Sequence, residues 1–291
     1  MAKSALLKSS IAKKYWMAFT GLFLCLFLAG HLAGNLQLLV PNNALNFNQY
    51  ALFMTTNPAV KLLSYLTYIS ILFHTIDGIL LTIQNKRARP IAYAKTNPAA
   101  NSSFSSRNMA VLGTLVLVFI STHMINFWAK MHFDENMPIM TKTIDVQGQK
   151  QAFYVGTQTG QYFPVQQVGK EGEKPQASAT MPMPKQFVIK NRTELYYSQA
   201  DVKTADLYKD LYKLTLDFFR DPKIGLWATL FYVFSMAALA FHLWHGVQSA
   251  YQSLGANNST LRPAIRTFGR AFAVLVPFLF AIIPLVLHFK K

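Results

Sequence analysis

The sequence predicts an all-α membrane protein, a five transmembrane helix bundle with a large outer insertion between helices three and four. Three observations predict it. Hydrophobic residues fill 52% of 291 positions and charged residues only 14%, so lipid is the expected solvent. Five long apolar stretches lie at 16–40, 59–84, 108–131, 224–250 and 268–289. Each is close to the roughly 20 residues that cross about 30 Å of hydrocarbon. The charges are sorted along the chain, basic residues into certain loops and acidic ones into a single long connection.

The first span follows Lys3, Lys8, Lys13 and Lys14, and small residues surround Ala29-Gly30-His31. That is the charge pattern of a signal peptide, but the apolar run is too long for one, so an uncleaved first helix is expected. Cys25, the single cysteine, lies inside it and has no partner for an intrachain disulfide. The connection 41–58 has no charged residue, whereas Lys86, Arg87, Arg89, Lys95 and Arg107 separate the second and third spans. Arg262, Arg266 and Arg270 come between the fourth and fifth and at the start of the fifth. The positive-inside rule puts these basic segments and the N-terminus in the cytoplasm and the C-terminus outside, and a bacterial inner membrane is the expected location. The formal charge of +16 therefore faces anionic lipid or an acidic partner, not nucleic acid.

Every acidic residue except Asp77 falls between Asp134 and Asp221. This places the 132–222 insertion outside, as a solvated cap on a single membrane domain covering 1–291. Aromatic and β-branched residues from Gln151 to Val168 predict a hairpin around Gly156 to Gly160. Gly169 to Pro184 reads as a connector. Leu207, Leu211, Leu214 and Phe218 share one face of an amphipathic helix expected over Thr204 to Phe219.

Ionisable side chains inside a membrane mark function by default, so the depth of each histidine matters. His31 comes about fifteen residues into an outward-running span and His123 about fifteen into another, which puts both in the outer half. His74 and His242 come about fifteen and eighteen residues into inward-running spans, which puts both in the inner half. Two facing imidazoles at each of two levels is what two six-coordinate haems require. A lone membrane histidine could equally make a polar interhelical contact or relay protons. Gly78 and Gly246 follow His74 and His242 by four residues, and Gly30 and Gly34 flank His31. They would give a macrocycle clearance, or simply let helices pack closely. His245 could meet a haem propionate, replace His242 as ligand or face the inner boundary. His132 and His288, at span ends, are expected to be solvated.

The residues Met17-Ala18-Phe19-Thr20-Gly21, Gly30-His31-Leu32-Ala33-Gly34-Asn35-Leu36, Phe73-His74-Thr75-Ile76-Asp77-Gly78, Ser121-Thr122-His123 and Phe241-His242-Leu243-Trp244-His245-Gly246 cover four of the five spans. They resemble the dihaem cytochrome b anchor of succinate dehydrogenases and fumarate reductases. The resemblance implies axial ligation of one haem b by His31 and His123 and of a second, nearer the iron–sulfur partner, by His74 and His242. It also implies flavoprotein and iron–sulfur subunits on the cytoplasmic face, and electron transfer to or from a quinone, with menaquinone expected. Homodimerisation of the whole complex and the direction of reaction stay open. Asp77 could bond an imidazole, move protons or pair with a basic residue. Some relatives carry a carboxylate near the outer ends of the first two spans, where this chain has Asn42, Asn43, Asn46, Asn48 and Gln49, so the quinone site has no assignment. The rival readings are a proton-coupled transporter using His74, Asp77 and His242, an anchor for another dehydrogenase, and an assembly factor.

Overall fold

The computed structural model describes residues 9–91, 97–158, 160–171, 185–256 and 258–290. Lys3, Lys8, Lys95 and most of the expected connector, 172–184, lie outside them. Helices dominate, and five are long and apolar enough to cross a membrane: Ser10–Leu39, Pro58–Arg87, Met109–Phe133, Gly225–Ser253 and Leu261–Phe289. That is the character of a multi-pass membrane protein. The all-α expectation is corrected, because the described residues also contain a three-stranded and a four-stranded sheet.

The regular helices are α1 (Ser10–Leu36), α2 (Ala44–Thr56), α3 (Pro58–Arg87), α4 (Met109–His123), α5 (Leu211–Arg220), α6 (Gly225–Ser253) and α7 (Leu261–Phe289). Their ends follow capping chemistry. The Ser9 hydroxyl accepts from the Ala12 amide, and the Asn57 side chain accepts from the amides of Ala59 and Val60, with Pro58 in the first turn. Lys86 and Arg87 occupy the last turn of α3, where the helix dipole favours cations. Pro277 and Pro284 sit inside α7, which a membrane helix tolerates when neighbours satisfy the freed carbonyls. A π-helical turn, Met124–Ala129, follows α4.

Where a single membrane domain is expected, the described chain divides into two compact units. The first comprises 9–39, 57–123 and 219–290 and holds four of the spans and the third as far as His123. Its backbones pack along the four sides α1–α3, α3–α4, α4–α6 and α6–α1, and α7 lies against α6 and α1. Among the described residues the diagonals α1–α4 and α3–α6 have only isolated backbone approaches. The core runs along α6, where Met236, Leu239, Leu243 and Val247 pack with Ala273 of α7, and Cys25, Val116 and Phe280 pack against them. Many large apolar side chains face away from this core, including Leu26, Leu62, Trp227 and Phe278. An apolar surface of that extent belongs in lipid.

The second unit comprises 40–56 and 124–218. Strands β1 (Thr141–Val146), β2 (Gln149–Val155) and β3 (Tyr162–Pro164) form an antiparallel meander, with the expected hairpin where Val155 pairs with Tyr162. Strands β4 (Val168–Lys170), β5 (Phe187–Lys190), β6 (Glu194–Tyr197) and β7 (Val202–Asp206) form the second sheet; β4 and β5 are parallel and the other pairs antiparallel. Phe163, Val168, Ile189, Leu195 and Leu207 fill its core. The amphipathic helix is therefore shorter than expected. Thr204 lies in β7, and Leu207 is buried, with its amide bonded to the Thr193 carbonyl. Asp210 starts α5 by accepting from the Lys213 amide at 2.9 Å.

Candidate functional site

The interior of the first unit brings the four predicted histidines together in two pairs. The ring centroids of His31 (α1) and His123 (α4) are 5.8 Å apart with planes at 88°, and those of His74 (α3) and His242 (α6) are 6.2 Å apart with planes at 66°. Each pair spans a diagonal of the four-helix arrangement, so the imidazoles meet where the backbones do not. The two levels can be measured along single helices. On α1, Thr20 touches His74, and His31 is eleven residues further on, about 16 Å by helical rise. On α4, Gly113 lies beside His242, and His123 is ten residues further, about 15 Å.

Spacing and donor chemistry fit a metal that brings its own equatorial ligands. A metal–nitrogen bond of about 2 Å on each side, with each ring centroid about 1 Å behind its nitrogen, sets two axial imidazoles about 6 Å apart. Among the described residues no group of three or more His, Cys, Asp or Glu could hold a bare ion. Two imidazoles could supply two ligands, and a haem would bring the other four.

The surroundings orient the rings. The Thr20 hydroxyl donates to the Trp16 carbonyl at 2.8 Å, so its oxygen is left to accept from His74 Nδ1–H at 3.2 Å, which leaves the His74 Nε2 lone pair available. At the other level the Tyr232 hydroxyl lies 3.5 Å from His123 Nδ1. The Asn35 amide donates to the His31 carbonyl at 2.8 Å and lies 3.4 Å from both ring nitrogens. Phe27 stacks on His31 at 5.2 Å. Among the described residues His242 Nδ1 is buried and has no hydrogen-bond partner.

Comparison with protein families, with curated proteins and with solved structures finds no match to this chain. The site is therefore read from its own geometry.

The glycines divide. Gly34 is buried in α1, but a Cβ on Gly30 would meet nothing within 4 Å, and on Gly78 and Gly246 it would make ordinary contact with the methyls of Met17 and Met109. The glycines that face the histidines are two that hydropathy and depth do not single out. A Cβ on Gly21 would come within 3.1 Å of His74 Cε1, and one on Gly113 within 3.6 Å of His242 Cε1. A signal for them is present in the sequence as a repeat. Met17-Ala18 precedes Gly21 and then His31 at the same spacings as Met109-Ala110 precedes Gly113 and then His123. Phe73-His74 precedes Gly78 as Phe241-His242 precedes Gly246. The contacts repeat too, since Gly21 faces His74 as Gly113 faces His242. The two hairpins α1–α3 and α4–α6 thus present equivalent residues to each other, and for that reason the paired histidines share a depth.

The remaining candidates are peripheral to the pairs. Asp77 is half-buried, within electrostatic reach of Lys13 and His74. His245 occupies the repeat position equivalent to Asp77 and is half-buried. His132 and His288, expected to be solvated, instead bond the carbonyls of Trp128 and Phe219 at 2.8 and 2.6 Å. In the asparagine cluster after the first span, Asn48 has a structural role. Asn48 is 1% exposed, donates to Asp210 at 2.8 Å and accepts from the Tyr212 amide.

Proposed function

We propose that this chain is a dihaem cytochrome b that anchors a succinate dehydrogenase or fumarate reductase in the cytoplasmic membrane. The observation that carries the haem reading is the pair of cross-diagonal imidazole contacts at 5.8 and 6.2 Å. His31 with His123, and His74 with His242, would be the axial ligands. Haem held there supplies one-electron chemistry. The chain's contribution is to fix the four imidazoles on packed helices, to orient His74 through Thr20 and His123 through Tyr232, and to keep both levels inside the bundle. Levels about 15 Å apart along the helices provide a path for electrons from one face of the membrane toward the other. The flavoprotein and iron–sulfur partners, on the side of the basic loops, and the quinone, menaquinone by expectation, follow from the sequence resemblance. The succinate site would belong to those partners.

The test is a reduced-minus-oxidised absorption spectrum of the purified chain with haem counted per polypeptide. Two low-spin b haems are expected, and none would overturn the reading. His31→Ala or His123→Ala should remove one haem and spare the other, and His74→Ala or His242→Ala the reverse. In native membranes, succinate should reduce the haems. Reduction by dithionite but never by succinate would overturn the partner enzyme and leave the cytochrome standing.

A further inference from the structure

The seam between the basic-side ends of α6 and α7 carries a second feature, separate from the histidines. Arg262, Arg266, Arg270, Val274 and Phe278 follow one another at intervals of four along α7, so they form one row on its surface. All five are exposed, Val274 by 51% and Phe278 by 59%. The row is thus basic for about 12 Å and then apolar. On the facing side, Gln252, Gln248 and Trp244 make the matching row of α6, and Ala240 and Ala237 continue it with little bulk. The two rows meet twice. Arg270 lies over the Trp244 ring at 5.2 Å, and nearer the helix ends Gln248, Gln252, Ala256, Arg262 and Ile265 line a small polar cavity. Among the described residues no carboxylate pairs with any of the three arginines.

We propose that this seam binds an anionic phospholipid of the leaflet on the side of the basic loops. The phosphate sits among Arg262, Arg266, Gln248 and Gln252, and an acyl chain runs past Val274 and Phe278 over the alanines of α6. Three neighbouring cations without a counter-charge call for an anion. The apolar continuation of the same row selects one that carries a hydrocarbon tail, and Trp244 marks the boundary between the two regions, as interfacial tryptophans do. The α7 amide end does not supply the site, since the Leu261 amide is already bonded to the Asn258 side chain at 2.7 Å. The inference stands independently of the haem reading.

The test uses the purified full-length chain in detergent, incubated with dioleoyl-phosphatidylglycerol or dioleoyl-phosphatidylcholine, with retained lipid counted by native mass spectrometry. The wild type should retain phosphatidylglycerol at least tenfold better. Combined Arg262→Gln, Arg266→Gln and Arg270→Gln should lower its retention by about fivefold per arginine, without changing phosphatidylcholine retention. Arg262→Gln with Arg266→Gln keeps the Arg270–Trp244 contact and gives the same readout if the triple variant does not fold. Equal retention of the two lipids, or undiminished phosphatidylglycerol on the variants, would overturn the proposal. Displacement by millimolar inorganic phosphate would make this a free-anion site, and loss of the lipid on assembly with soluble subunits would assign the row to a protein partner; either result overturns it.

Discussion

Thr20 shows how much a single hydroxyl can decide. Its hydrogen is committed to the Trp16 carbonyl, so toward His74 it can only accept, and together with the Met17 backbone, which the imidazole also meets, it favours a proton on Nδ1. Partners of this kind typically change metal affinity by 10–100-fold when removed. Thr20→Val is therefore expected to weaken haem retention at the His74–His242 level by about tenfold, and Thr20→Ser to restore it. Haem counting and the midpoint potential of that haem measure this, and an unchanged potential in Thr20→Val would remove Thr20 from the site. Asn48 illustrates the opposite use of a polar side chain. It is buried and satisfies Asp210 and the start of α5. Asn48 is thus part of what holds the second unit together.

At the scale of elements, α1 and α4 matter through their smooth faces as much as through their histidines. The Gly21 position leaves 3.1 Å between an added Cβ and His74, tighter than packed atoms accept without movement. Gly21→Ala should therefore displace His74 and cost about 1–3 kcal/mol by overpacking, read as a lower thermal midpoint with loss of the haem at that level. Gly30→Ala, with open space around it, should leave both unchanged. In the second unit the edge β6–β7 is held by charge. Glu194 accepts from Lys203 and Asn191 at 2.7 and 2.6 Å, and these bonds, Lys203 first, hold its carboxyl below the usual carboxylate value. Glu194 and then Asp206 push the Lys203 ammonium up. A depressed carboxylate stabilises the fold above its unfolded pKa, and that contribution is lost as pH falls through the folded value. A raised lysine contributes below its unfolded pKa and loses the contribution as pH rises through the folded one. Hydrogen-exchange protection of β6 and β7, corrected for intrinsic rates, should thus decline below about pH 4.5 and again above about pH 10.5. Glu194→Gln should remove the acid limb; if it does not, the pairing is not what holds that edge. Both pairs are exposed, so the changes should be small.

For the whole molecule, orientation is the property with most consequence, because it decides which histidine level would face the proposed partners and which leaflet the arginine row meets. The single cysteine makes it accessible to experiment. In a Cys25→Ser background, Gln149→Cys in the insertion should react with a membrane-impermeant maleimide on intact cells, whereas Asn101→Cys should react only after permeabilisation. The reverse pattern would invert the proposed topology and move the partners to the other face.

The sequence by itself determined the five spans, the approximate depth of His31, His74, His123 and His242, and the hairpin around Gly156, because span length, hydropathy and turn residues are local properties. Only the tertiary structure decided that the histidines meet across the diagonals of the bundle, since that depends on which helix faces pack and how each is rotated. The same holds for Gly21, Gly113 and Thr20, whose importance lies in contacts with a different span. The sheets of the insertion were largely hidden for a related reason. Their strands are short, and β1 and β7 are mostly exposed. They lack the alternation that marks a half-buried strand, and a pairing such as Val168 with Phe187 joins segments distant in the chain. Leu207, legible as one position on a helical face, is buried in a sheet core because the backbone it pairs with, at Thr193, comes from another strand turn.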